Sequence, residues 1–221
     1  EGSGGGATQT TTADGNIGIG YNSLNGVTSG YDNTGIGRNA LVTLTTGTAN
    51  VSIGVASLDK LTIGSGNVAM GYGALSDEVL GNGSTAVGYG ALFKQAMDVN
   101  NEISHNTGVG GYAGYYNVTG VNNTYIGYEA GFGVSGQSNS NNVGVGTDAL
   151  TSITTGANNV AIGQGSGDSI TSGTKNVLIG SYVADSLSEG ISNIAIGYSA
   201  IGAVTAHTTG IIAIGEGAIE G

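Results

Sequence analysis

Short stretches in which β-branched residues alternate with small ones recur along the whole chain, and each of them ends in glycine. "VAIG" at 160–163 and "IAIG" at 194–197 are two examples. An alternation with a period of two, rich in β-branched residues, is typical of a short β-strand with one buried face. We expect the β-branched residues, Ile162 among them, to face inward. The small residues between them indicate a face that another surface approaches closely.

The glycine that ends each stretch, here called the anchor glycine, recurs with nearly constant spacing. The anchors are Gly20, Gly37, Gly54, Gly71, Gly88, Gly110, Gly127, Gly146, Gly163, Gly180, Gly197 and Gly215. Most steps between them are 17 residues, and the exceptions are 22, 19 and 18. Recurrence at a fixed period predicts a repeat architecture in which each copy forms one structural unit and stacks on the next.

Each copy continues beyond its anchor with a second apolar segment and a second turn. Ala or Ser stands three residues after most anchors, Leu often follows, and a further glycine lies ten residues after the anchor in eight copies. Two short apolar segments and two turns make one coil of a flattened solenoid, whose strand pairs with the equivalent strand of the next coil. The sequence therefore predicts an all-β fold, a β-roll of twelve coils that forms a single array over 16–221. A flexible Gly/Thr-rich lead is predicted at 1–15.

Two polar columns accompany the apolar ones. Asparagine stands four residues before the anchor in ten copies, from Asn16 to Asn193, and predicts a ladder of turn hydrogen bonds at one corner. Threonine recurs eight residues after the anchor, as in Thr28, Thr45 and Thr62. An ice-binding solenoid would show two parallel threonine rows, so we interpret this single row as a hydroxyl ladder.

Composition narrows the functional classes. Only 9% of the 221 residues are charged, 45 are glycine, and 15 acidic residues against 4 basic ones give a net charge of −11. Such a chain repels nucleic acid and anionic membrane surfaces, so we expect no nucleic-acid partner. Cysteine is absent, which leaves packing and hydrogen bonds to hold the fold. We expect no membrane insertion, because no apolar run approaches about 20 residues.

The repeats also carry a family resemblance. "NTGIGRNAL" at 33–41, "NVAIGQGS" at 159–166 and "NIAIGYSA" at 193–200, with "TTG" or "TSG" turns between copies, resemble the repeats of long bacteriophage tail fibres. The same core is similar to the head repeats of trimeric autotransporter adhesins. The resemblance implies a parallel homotrimer of β-rolls, in a virion tail fibre or on a cell surface, that contacts a host. Neither family places catalytic residues in this motif.

An argument from the residues favours a trimer as well. A coil of 17 residues is thin, and a single β-roll would leave a face of small and apolar residues in water. Burying that face between copies of the chain removes the problem. A monomeric solenoid with polar faces is the alternative.

Catalytic and metal-binding motifs are poorly supported. Glycoside hydrolysis needs two facing carboxylates, as in some polysaccharide-degrading tailspikes, whereas Asp77 and Glu78 are sequence neighbours whose side chains point apart. His105 and His207 lie about six repeats apart with no cysteine or clustered carboxylate nearby, which does not favour zinc. We expect no enzyme activity, no cofactor and no metal site.

Candidate host contacts follow from the insertions and the tyrosines. Extra residues in a stacked array must loop outward, and such insertions often gather on a binding face. The step from Gly88 to Gly110 has an excess of five residues, and the step from Gly127 to Gly146 an excess of two. The alternatives are tolerated surface loops and tyrosine ladders that stiffen the coils. The candidates for contact with a host surface glycan or protein are Phe93, Lys94, Met97, His105, Phe132, Tyr115 and Tyr116.

Overall fold

A computed structural model describes residues 14–97, 103–202 and 207–219. Contacts divide the chain into two compact units, Glu1–Val109 and Gly110–Gly221. Apart from Asp14 and Gly15, the predicted lead at 1–15 lies outside the described residues.

Twelve strands of three residues each make up the regular structure. In the first unit these are β1 (Ile17–Ile19), β2 (Thr34–Ile36), β3 (Val51–Ile53), β4 (Val68–Met70), β5 (Thr85–Val87) and β6 (Thr107–Val109). In the second they are β7 (Thr124–Ile126), β8 (Val143–Val145), β9 (Val160–Ile162), β10 (Val177–Ile179), β11 (Ile194–Ile196) and β12 (Ile212–Ile214). Every strand ends at the residue before an anchor glycine, as the repeat alignment predicts.

Within each unit, consecutive strands pair in parallel and in the register of the anchors. Val145 pairs with Ile162, and Ile162 pairs with Ile179. The longest insertion leaves this register unchanged, because Val87 still pairs with Val109. The prediction of an all-β solenoid with a 17-residue repeat is confirmed.

The orientation of the strands differs from the prediction. Ala161, in the middle of β9, is fully buried, whereas Ile162 is 40% exposed, so the expectation that Ile162 faces inward is wrong. The interior is already filled by leucines that follow the anchors. At Gly35, in the middle of β2, an added Cβ would lie 3.1 Å from Cγ of Leu24. Only small residues fit beside such leucines, and the β-branched residues therefore form two outward columns.

The anchor glycines stack directly on one another. Gly54 has a φ of +143°, which disfavours any side chain, and a Cβ there would overlap the carbonyl group of Gly71, the next anchor. The turn after each strand therefore depends on glycine for both its conformation and its close approach.

The predicted asparagine ladder is confirmed. The side-chain Nδ2 of Asn50 donates to Oδ1 of Asn33 at 3.0 Å and to the carbonyl of Gly64 at 2.9 Å. Its backbone N–H also donates to Asn33 Oδ1 at 3.0 Å. The same bonds recur in the second unit, where Asn176 donates to Asn159. Asn50 and Asn176 thus each tie their coil to its neighbour. The column departs from this at Asn106, which follows Ser84 and whose side chain donates to Gln95 instead.

The threonine row also forms the hydroxyl ladder that we predicted. Oγ1 of Thr45 donates to the carbonyl of Thr62 at 2.9 Å, and Oγ1 of Thr154 donates to that of Thr171 at 3.0 Å. Thr205, which shares this column, lies outside the described residues. The hydroxyls of the ladder are used between coils, which weakens the case for this row as an ice-binding surface.

Candidate functional site

Lys60, Asp77 and Lys94 form a charged ladder on the first unit, and Phe93 lies beside it. Lys94 Nζ lies 4.9 Å from the centroid of the Phe93 ring and 2.8 Å from Oδ2 of Asp77. Lys60 pairs with the other oxygen of the same carboxylate. Burial opposes ionisation of Asp77, but the hydrogen bonds and charges of the two lysines outweigh it and hold the pKa of Asp77 below its usual range.

The other two candidates in the first insertion do not join this ladder. Met97 is only 1% exposed, so its side chain lies in the interior and we withdraw it as a host contact. His105 is exposed and lies against Gly83, where an added Cβ would be 2.7 Å from its Cδ2. Residues 98–102, between them, lie outside the described part of the chain.

Glu78 forms a buried hydrogen-bond network that the sequence analysis missed. Its side chain is fully buried, and Oε1 accepts from the backbone N–H groups of Val79 at 3.0 Å and Gly81 at 2.7 Å. Oε2 accepts from Nε2 of Gln95 at 2.8 Å. A carboxylate held in this way supports the fold and is not placed to attack a substrate. The available signal was Glu78 itself, seven residues after an anchor, where other copies carry residues such as Leu61.

The second unit brings three candidates together. Tyr115 stacks on Phe132 with ring centroids 5.5 Å apart. Tyr116 makes a T-shaped contact with Phe132, with ring centroids 5.1 Å apart and ring planes at 83°. Tyr112 and Tyr128 complete the group, with centroids 6.1 Å apart and planes at 83°. We call these five residues, Tyr112, Tyr115, Tyr116, Tyr128 and Phe132, the aromatic cluster.

The repeat itself positions the aromatic cluster. Tyr115 and Phe132 both stand five residues after their anchors, on successive coils. The backbone N–H of Tyr116 donates to the carbonyl of Phe132 at 2.9 Å, and that of Glu129 donates to Gly111 at 2.9 Å. Hydrogen bonds between coils therefore fix the backbone from which the rings project.

The aromatic cluster and Glu129 line an open cavity of about 350 Å³. The side chain of Glu129 hydrogen-bonds to Tyr128 and raises the pKa of its phenol, and the charge of Asp148 adds to the effect. The rim of the cavity therefore combines ring faces with negative potential. This arrangement suits the binding of a ligand against ring faces.

Neither a metal centre nor a membrane span is found in the part of the chain that the structure describes. No group of three or more metal-ligating side chains occurs there. Nor does any helix there have the length and apolar character needed to cross a membrane. Comparisons of the chain with protein-family models, with curated proteins and with solved structures found no match. Function is therefore inferred from the residues and their geometry.

Proposed function

We propose that this chain is a structural and receptor-recognition segment of a trimeric fibre, most simply of a phage tail fibre that contacts the host surface. The head of a bacterial surface adhesin is the alternative within the same class. The observation that carries the proposal is the outward face of the strands.

This face exposes two columns of β-branched and apolar side chains. Ile19 is 58% exposed and Ile214 66%. Other exposed members include Met70, Ile126 and Ile179. Large contiguous apolar patches on soluble proteins mark interaction surfaces, and parallel sheets are normally covered on both faces. Covering this face would be favourable by roughly 25 cal/mol for each Å² of apolar surface removed from water.

A further copy of the chain is the simplest cover for such a face. The apolar columns repeat at every coil, and a parallel copy presents the same columns at the same spacing, which allows a closed cyclic assembly. The small residues that first suggested a covered face are buried inside the chain, as Ala161 illustrates. The case for a trimer therefore now rests on the β-branched face and on the resemblance of the repeats.

Sedimentation at micromolar concentration tests the proposal. We expect one species near three times 21.5 kDa. Ile162→Lys, on the outward face, should dissociate this species while the coil stays folded. Gln164→Lys adds the same charge to an exposed residue of the same coil and should leave the trimer intact. A wild-type chain that sediments as a folded monomer would overturn the trimeric fibre.

If the chain is a monomer, ice binding becomes the second candidate function, because of the side chains on the outward face. The outward face has two parallel columns, and one of them includes Thr34, Thr85, Thr107 and Thr124. Thermal hysteresis measured on the monomer would then decide whether this face, rather than the hydroxyl ladder, organises water.

A further inference from the structure

We propose that the aromatic cluster binds a quaternary ammonium group. That the group is carried by a host surface rests on the fibre function proposed above, whereas the site itself rests on the geometry of the second unit. The ligand class follows from two features of the cavity, the angles between its rings and its charge.

Apart from the stacked pair Tyr115 and Phe132, most rings of the cluster stand nearly perpendicular to their neighbours, and together they do not form one flat platform. Tyr112 stands at 83° to Tyr128 and at 82° to Phe132, and Tyr116 stands at 83° to Phe132. A pyranose ring is held mainly by stacking on one ring face. A compact cation instead gains from several ring faces turned around it, which is the arrangement used to recognise quaternary ammonium groups.

The charge of the cavity has the sign that a cation requires. Glu129 is the charged group of the lining, and it is the sequence neighbour of Tyr128. Asp148 contributes to the same negative potential. None of the six lining side chains is basic. An anionic ligand such as an acidic sugar would meet repulsion here, whereas a cation would be attracted.

The glycine that precedes Tyr128 in its column lets the Tyr128 ring lie against the backbone of the preceding coil. In the first unit the residues directly after two successive anchors are Tyr72 and Tyr89, whose rings stack at 5.1 Å and 11° and so cover each other's faces. In the second unit the residue before Tyr128 in this column is Gly111, where an added Cβ would lie 3.4 Å from Cδ2 of Tyr128. The tyrosine ladder is thereby interrupted at the cavity, and the Tyr72–Tyr89 stack provides an internal control.

The test is an NMR titration of the full chain with choline and with its neutral isostere 3,3-dimethylbutan-1-ol. We expect saturable binding of choline and at least tenfold weaker binding of the isostere, since shape is matched and only the charge differs. Methyl β-galactoside serves as the neutral sugar. Phosphocholine and Nε-trimethyllysine separate a phosphate-linked headgroup from a modified lysine side chain, and binding of either supports the proposal.

Variants locate the binding. Glu129→Gln should weaken choline several-fold and leave the isostere unchanged, and Tyr128→Leu should weaken choline about tenfold. Tyr72→Leu, in the control stack, should have no effect. Equal affinities for choline and its isostere, or binding of the sugar alone, would overturn the proposal. A small-molecule titration can be read on a monomer or a trimer, so its failure leaves the fibre proposal untouched, and a monomeric chain that binds choline leaves this one intact.

Discussion

The two units fill their interiors with different side chains at the same positions of the repeat. Four residues after the anchor, the first unit has leucine in five successive coils: Leu24, Leu41, Leu58, Leu75 and Leu92. The second unit has glycine at that position in three coils, at Gly114, Gly131 and Gly167, and leucine in one, at Leu150. Its large buried residues instead include Tyr125 and Leu178, from the middle of strands.

The difference shows that two positions of the repeat share one volume. A Cβ on Gly131 would overlap the ring of Tyr125, and a Cβ on Gly167 would lie 2.7 Å from Cδ1 of Leu178. The backbone at this position is left-handed in both units, with φ of +48° at Leu58 and +59° at Gly131. Glycine adopts that conformation freely and leucine does not. In the coils with leucine, the burial of an apolar side chain therefore offsets the cost of a strained backbone.

The units also differ seven residues after the anchor. In a regular coil of the first unit the N–H of Thr62 donates to the carbonyl of Val79 in the next coil, at 2.9 Å. One coil later, beside the long insertion, the N–H of Val79 donates to Glu78 instead. The carboxylate thus takes the place of a backbone acceptor. In the second unit the same column returns to Ile153, Ile170 and Leu187.

Removing the Tyr125 ring should give the largest effect. Tyr125→Ala leaves a cavity in a core that holds no leucine at Gly131, and we expect a loss of about 4 kcal/mol in the free energy of unfolding. Urea denaturation of the chain measures it. Tyr125→Ala combined with Gly131→Leu should recover part of the loss by restoring the arrangement of the first unit. A double variant no more stable than the single one would show that the two positions do not share a volume.

Truncating Glu78 should be the next largest effect. Glu78→Ala leaves several buried N–H groups and the amide of Gln95 without their acceptor, and we expect a loss of about 3 kcal/mol. Glu216→Ala removes an exposed carboxylate and should change the unfolding free energy little. Equal effects of the two substitutions would mean that the network of the first unit does not support its insertion.

Crowding the interior of the second unit should have a smaller effect. Gly131→Ala places a methyl group against Tyr125 at a positive φ, and we expect a loss of about 2 kcal/mol. Gly136 has a comparable φ of +77°, and nothing lies within 4 Å of an added Cβ there. Gly136→Ala therefore measures only the cost of a side chain at a positive φ, which we expect to be about 1 kcal/mol of unfolding free energy. Thermal melting of both variants measures the difference, and melting temperatures that coincide would remove the packing argument.

The sequence predicts the strands, their register and both polar ladders because each depends on one column of the repeat. It does not predict which face of the strand is buried, because a period of two shows that the strand has two different faces but not which of them points to the interior. Ile162 reads as a core residue until the leucines are seen to fill the interior. The pairing of Tyr125 with Gly131 depends on two columns together, and the aromatic cluster depends on successive coils placing Tyr115 beside Phe132. Glu78 stands at a repeat position where other copies carry apolar residues such as Leu61, so its burial could have been predicted from the alignment. It is missed when Asp77 and Glu78 are considered only as a pair of neighbouring acids.

The smallest expected effect concerns the outer turns, where six residues after the anchor the first unit carries Lys60, Asp77 and Lys94 and the second begins with Tyr116. Because the folded pKa of Asp77 lies below its usual value, its ion pairs contribute stability above about pH 4, and this contribution is lost as the pH falls through the folded pKa. The lysines are partly exposed, so we expect Asp77→Asn to lower the unfolding free energy by less than about 1 kcal/mol at pH 7. The difference between wild type and variant should shrink at about pH 2 and in high salt. Tyr116→Leu, at the equivalent position of the second unit, removes ring contacts and no ion pair, so we expect the same change in stability at both pH values. Urea denaturation of both variants at the two pH values separates a charged outer ladder from an aromatic one, and a pH-independent effect of Asp77→Asn would show that its ion pairs contribute nothing.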